Sequence, residues 1–472
     1  MRQFLTFTAF LFFLPTFTTA QLSDIEWLHT LVTPDNLSQG DVYPHGVEVD
    51  GNNNLTLLAT YFSTVNFDDG STLEHGSFDD EDRVMVLRYN SDGDLLWKST
   101  IRASNSNEYD LFGRGVRIGV DDNGTVYVAG RLKSPQLDFG NGIFINKNCS
   151  GLCEELFIVK LDNNGAAQWA KKIGAPTGTF NRIAGIDCDS DGNIIVGGLS
   201  GGTSVTYNDS TYTGLKKDQQ FLLKLNPNGD ALWFNAPPLS SGQALCRVVR
   251  TGPDGSVYIT GDYFTNINLG SGITKNTFGI HNAYVAKYNR NGVPQWLHGL
   301  TGGDVDVLDM DIDNQGTAYL ACDAGSNITF NGAPFVNANS SFVGAMLKVD
   351  STTATVLYQI NYENDALYPV MTNVVRPEGN QYYAAGVYGF DISVGNIVLS
   401  AEGNSDILVV SGKDTTLNPV SFGGNKAEAI ENFDYGSAIA LDQNGYLYVV
   451  GFNGPDGQIG SFALDDAGIF VA

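Results

Sequence analysis

The chain has 472 residues, with 55 glycines, 52 acidic residues against 26 basic ones, and a formal net charge of −26. That field repels phosphate backbones and anionic lipid, which excludes nucleic acid as a natural ligand and favours cations or basic partners. The length suits about three separate domains or one large all-β repeat array, and the abundance of Tyr, Phe, Asn, Asp, Thr and Gly points to strands and tight turns over helices.

Residues 1–20, "MRQFLTFTAFLFFLPTFTTA", combine one basic residue, an apolar run from Leu5 to Phe17 and small residues ahead of Gln21. This is the pattern of a secretory signal peptide, because the run is too short to span a bilayer. No later segment is apolar enough to span, so residues 21–472 are expected to form a single domain outside the cytoplasm, with no transmembrane segment. The expected chain then opens on "SDIEWLHTLV", a strand carrying Trp27 with no repeat before it.

From there one unit recurs. Its first half reads "VDGNNNLTLLATYF", "VDDNGTVYVAGRL", "CDSDGNIIVGGLS", "TGPDGSVYITGDYF", "IDNQGTAYLACDA", "RPEGNQYYAAGVYGF" and "LDQNGYLYVVGFN", and from the second copy on the turn glycines are spaced by 61 to 68 residues. Its second half, clearest in "RVMVLRYNSDGDLLW", "ELFIVKLDNNGAAQW", "QFLLKLNPNGDALW" and "NAYVAKYNRNGVPQW", is a strand, an Asx-rich turn ending in glycine, and a strand reaching tryptophan. Trp97, Trp169, Trp233 and Trp296 share that last position; the fifth unit has Tyr358 there and the sixth has lost the turn. Two hairpins per unit predict an all-β, seven-bladed β-propeller of four-stranded antiparallel blades. The seventh unit stops after its third strand, so the strand around Trp27 is expected to join it as the fourth and close the ring; otherwise an edge would stand open. In this registration the Asx-Gly turns share one face, and the long links, such as 131–155 and 199–220, lie on the other as variable loops.

The pattern D-x-x-G-x-x-Y-V-x-G followed by F-V-x-K-Y/L-x-x-x-G-x-x-x-W resembles the bacterial SBBP family of propeller repeats, found on exported and cell-surface proteins. The resemblance implies a scaffold and an exported location, plausible for the surface of a Gram-negative bacterium, and carries no catalytic residues across.

Candidate sites are few. "DCDSDGN" at 187–193 begins like a calcium loop, but Ile195 and Gly198 stand where closing acidic ligands belong, and Asx-Gly is what a hairpin turn requires; we read it as a turn. "NFDDGSTLEHGSFDDEDR" crowds Asp79, Asp80, Glu81 and Asp82 into the first unit's long link, a calcium candidate set against the plainer reading of a solvated tip. "GLSGG" at 198–202 has the spacing of a nucleophile elbow but falls at a repeat strand end, and the five histidines show no metal spacing. In an exported chain Cys149 and Cys153 can close a small disulfide, while Cys188, Cys246 and Cys322 fall in apolar strand patterns. No cofactor is called for, and calcium is the one metal considered. With no catalytic constellation in view, the leading expectation is a binding or structural module for an extracellular protein or glycan. The alternatives are an enzyme of glycan lyase or lactonase type at the channel mouth and a calcium-stabilised adhesin fragment.

Overall fold

A computed structural model describes residues 25–32, 42–74, 83–104, 115–149, 153–174, 176, 179–237, 244–276, 281–302, 305–325, 327–336, 342–362, 370–375, 381–389, 391–394, 396–400, 406–413, 416–425, 435–453, 457–459, 462–464 and 468–472. Among them the regular structure is all strand, paired antiparallel into open sheets, and no helix is long and apolar enough to cross a membrane.

The first unit sets the pattern: Val42–Val49, Leu55–Tyr61, Arg83–Tyr89 and Leu95–Ser104 pair in chain order. The second and third strands are apolar on both faces, and Leu55, Leu57, Leu58, Val84, Val86 and Leu87 are fully buried, because each sheet is covered by a neighbouring sheet on either side. The same order of pairing holds in the second to sixth units. In the seventh, Tyr435–Leu441, Leu447–Asn453 and Gly468–Val471 pair in turn, and His29–Val32 lies beside the last of them with His29 opposite Val471 and Val32 opposite Gly468. First strands pack against first strands of adjoining units, and Tyr435–Leu441 touches both Val370–Val375 and Val42–Val49.

The glycine turns are where the repeat motif acquires its physical reason. Gly93, Gly165, Gly229 and Gly292 each sit at positive φ (87°, 77°, 78° and 76°), and a Cβ on any of them would press into the indole of Trp27, Trp97, Trp169 or Trp233 respectively. Each indole reaches across to the neighbouring unit, where its Nε1 donates to a turn carbonyl: Trp27 to Ser91 (3.1 Å), Trp97 to Asn163 (2.7 Å), Trp169 to Pro227 (3.3 Å) and Trp233 to Arg290 (3.0 Å). Turn glycine and tryptophan are thus two halves of one contact between units. Trp27 also packs on Tyr448 of the seventh unit as Trp169 packs on Tyr127 of the second. Where the fifth unit's turn lacks glycine, His298 contacts the carbonyl of Asp350 in place of the indole, at 3.0 Å.

The links expected to be loops contain hairpins. Gln136–Asp138 with Phe144–Asn146, Ser204–Tyr207 with Ser210–Thr213, Ile328–Phe330 with Ala333–Val336, and Gly457–Ile459 with Phe462–Leu464 are four of them. Each crosses to the preceding unit and pairs with its fourth strand, as Leu137 does with Ala103 and Tyr207 with Ile173. Asn66 pairs with Val32 in the same relation. These arms cover what would otherwise be bare outer edges.

Candidate functional site

The opening aspartates of 187–193 do not converge. Asp189 Oδ1 accepts from the backbone of Asp191 and Asn193, at 3.0 and 2.9 Å, and its Oδ2 meets Lys224 Nζ at 2.7 Å. Asp191 reaches out to Arg290 at 2.8 Å, while Asp187 Oδ2 accepts from Thr251 N and Oγ1 at 2.6 and 2.9 Å. Asp50, Asp121, Asp313 and Asp442 grip their turns in the same way, so the motif's acid is a backbone clamp. Asp79, Asp80, Glu81 and Asp82 lie outside the described residues. Cys149 and Cys153 are joined as a disulfide, and Ser200 is buried with its hydroxyl donating to Gly202 O at 2.9 Å.

Two polar groupings stand out, and the first strands contribute to both. One is a belt at a single repeat position, where Glu48, Asp187, Arg250 and Asp311 align with Gly119 and Ala440. Arg250 Nη2 approaches Asp309 Oδ1 at 3.4 Å. Burial works to lower Arg250, but the carboxylates of Asp309, Glu48, Asp187 and Asp311 outweigh it and hold the guanidinium charged. With the cation shared among several acids, the acids pay unequally: burial pushes Glu48 up to about 8, Arg250 opposing and Asp187, Asp311 and Asp309 adding to the rise. Asp187 is raised by burial as well.

Because the folded state holds Glu48 protonated and the unfolded chain releases that proton near 4.5, its contribution is fully present below about 4.5 and is lost as pH climbs to about 8. Glu48→Gln keeps the neutral shape. Its unfolding free energy relative to the parent should rise steadily between pH 5 and pH 8, by about 2 kcal/mol after allowing for water at this half-buried position, as denaturant unfolding at each pH would show. A difference that stays flat with pH overturns the assignment.

The other grouping lies at the strand ends remote from the glycine turns, on the face of the long links. Asp262 is the next-to-last residue of the fourth unit's second strand Val257–Tyr263, His281 immediately precedes its third strand Asn282–Tyr288, and Arg247 precedes its first strand Val248–Thr251. Asp306 is the second residue of the next unit's first strand, Val305–Ile312. Backbone bonds from Leu245 N to Asp262 O and Arg247 N to Thr260 O, both 2.8 Å, lay the Arg247 segment beside Asp262. Arg247 Nε is 2.5 Å from Asp262 Oδ2 and its Nη2 is 2.9 Å from Asp306 Oδ1. His281 stacks on Phe264 with ring centroids 5.4 Å apart, and its Nε2 stands 3.7 Å from both carboxylates. Asp262 is fully buried, and burial raises its carboxyl against the pull of Arg247, with Asp306 adding to the rise.

On the same face, further out, a cleft of about 640 Å³ is lined by Asn146, Asn148, Glu155, Lys172 and Thr206 among others. Glu155 is held there by Lys172 at 3.4 Å and by Asn148 N at 2.7 Å. Amides, a hydroxyl, a carboxylate and an ammonium in one concavity make a surface suited to polyhydroxylated ligands.

Sequence spacing singled out neither grouping. Arg247, Asp262, His281 and Asp306 come from four segments, and the charged belt residues Glu48, Asp187, Arg250 and Asp311 from four units, so no local spacing relates them.

No protein-family profile matches the chain. An uncharacterized WD repeat-containing protein of Acanthamoeba polyphaga mimivirus is 28% identical over 239 residues, which is 44% of this chain and 16% of that protein. Among solved structures, a polysaccharide lyase of family PL25, an ulvan lyase, aligns with a TM-score of 0.43 at 10% identity over 92% of this chain and 94% of its own. A Synechocystis apocarotenoid oxygenase aligns with a TM-score of 0.41 at 11% identity, covering 94% and 92%. A Bacteroides caccae protein of unknown function gives 0.36 at 10%, covering 75% and 94%. These likenesses carry no activity to this chain.

Proposed function

We propose that this chain is an exported, seven-bladed β-propeller of the SBBP type, acting as a binding module for an extracellular protein or glycan through the face of its long links. Support for the seven-bladed, closed reading comes from the recurring four-strand order, from the adjoining first strands and from His29–Val32, which pairs with Gly468–Val471 on one side and with Asn66 on the other. In that reading the first strands surround a channel and the belt residues line it. The export reading rests on residues 1–20.

The observation that carries the binding site is the meeting of Arg247, Asp262, His281 and Asp306 at the channel mouth, where rigid strand ends present charged and aromatic groups beside the arms. The test is a glycan and extracellular-protein array probed with the full chain. Arg247→Ala combined with Asp306→Ala should reduce binding of the captured ligand by about tenfold or more, as loss of paired charges at a contact does, while Arg290→Ala on the turn face leaves it unchanged. Equal binding by all three proteins sinks the assignment. One observation favours a second reading, an enzyme of glycan lyase or lactonase type: an imidazole, two carboxylates and a guanidinium together are groups that move protons and hold anions. Its sign would be turnover of a bound polysaccharide that His281→Ala abolishes.

A further inference from the structure

We propose that Asp262, His281 and Asp306 form a binding site for a divalent transition-metal ion of the zinc class, for which Arg247 holds the place when the metal is absent. This deepens the binding site proposed above and rests on that reading only for its link to the ligand.

The geometry is the first support. One donor atom from each residue lies within 4.8 Å of the other two, and His281 Nε2 is 3.7 Å from both Asp262 Oδ2 and Asp306 Oδ1. A separation of 3.7 Å is too long for the imidazole to hydrogen-bond either carboxylate. It is close to the roughly 3.4 Å that separates two ligands on a tetrahedral ion with bonds of 2.0–2.1 Å. The three atoms are therefore spaced to share one ion, and small rotations of the side chains would bring them to it.

The second support is independent of that spacing. Asp262 is fully buried, and its Oδ1 has no hydrogen-bond partner among the described residues. A buried carboxylate with an unfilled acceptor is costly unless a cation compensates it. Arg247 supplies that cation here, reaching both acids at once, yet its side chain is 44% exposed and can withdraw into solvent.

The donor set selects the metal. Imidazole with two carboxylates suits zinc and its neighbours, whereas calcium takes six to eight oxygen ligands and has no use for the nitrogen. Three protein ligands leave a fourth position open, as in zinc sites that bind a further ligand. With His281 and Asp306 partly exposed, that position faces outward, where a hydroxyl or carboxylate of a glycan could enter.

Metal-stripped full chain titrated with Zn(II) alone, followed by calorimetry, should take up one equivalent. Asp306→Asn and His281→Gln should each weaken uptake by about tenfold or more, and Arg247→Ala should tighten it, a direction that a merely structural arginine does not produce. If Asp306→Asn fails to fold, the imidazole resonances of the wild-type chain decide: only five histidines are present, and the His281 signals must shift on zinc addition. No saturable uptake by wild type and Arg247→Ala, uptake indifferent to His281→Gln, or unmoved His281 resonances overturns the site. Array binding lost in the Arg247 and Asp306 variant without zinc uptake sinks the metal and spares the binding module; zinc uptake with array binding intact does the reverse.

Discussion

Deleting residues 25–32 lowers the melting temperature by about 10 °C or more and leaves a protein that self-associates. Leu31 is 1% exposed and Val471, on the strand it pairs with, is fully buried, so the segment is part of a core despite lying 436 residues or more from its partner strand in the chain. Three losses combine. A buried leucine and an indole go, each worth about 2–5 kcal/mol on truncation, and Gly468–Val471 becomes a bare edge. Their sum is comparable with the roughly 5–15 kcal/mol that holds a whole domain together. Trp27→Ala alone should reproduce part of the loss, since Trp27 bridges Tyr448 of the seventh unit and the Ser91 turn of the first. Thermal melts with light scattering read both effects, and a deletion that melts like the parent would make the segment an accessory.

Asp50→Ala costs about 3–5 kcal/mol, because it strands a buried guanidinium. Arg88 and Asp50 are 2% and 3% exposed and pair directly, while Arg88 Nη1 also donates to Gly124 O in the next unit's turn at 2.9 Å. The remaining Asp50 oxygen receives Asn52 N and Asn54 N at 2.9 and 2.8 Å, so the turn loosens as well. The double change Asp50→Ala with Arg88→Met should recover a good part of the stability, since the charge leaves with its partner. Denaturant unfolding of the two singles and the double measures the coupling; additive losses would show that the pair does not act as one. The same logic sits in Lys224 with Asp189 and, nearer solvent, Lys287 with Asp254.

These pairs show what was legible in the sequence. A basic residue on the third strand and an acid at the turn recur from unit to unit, as do the turn glycines and tryptophans, because each answers a contact that every unit repeats. The hairpins within the long links were legible too and were missed: "DFGNGIF", "YNDSTY", "LGSGIT" and "FNGAPF" carry the Gly and Asn that take positive φ at Asn141, Asn208, Gly270 and Asn331. Their runs of three or four residues were too short to register as strands beside the long repeats. The cluster of Arg247, Asp262, His281 and Asp306 was beyond linear reading. His281 has no ligand at helical or strand spacing, and its neighbours arrive from a second strand, a bend and an adjoining unit. Only superposing the units on one another brings these residues to a common end of the sheet.

The arms that cross from one unit to the strand before it make the molecule hard to dismantle by proteolysis. A cut anywhere in such a link leaves both new ends knitted into sheets, one into its own and the other into the adjoining one, so a nicked molecule keeps its shape until several links are severed at once.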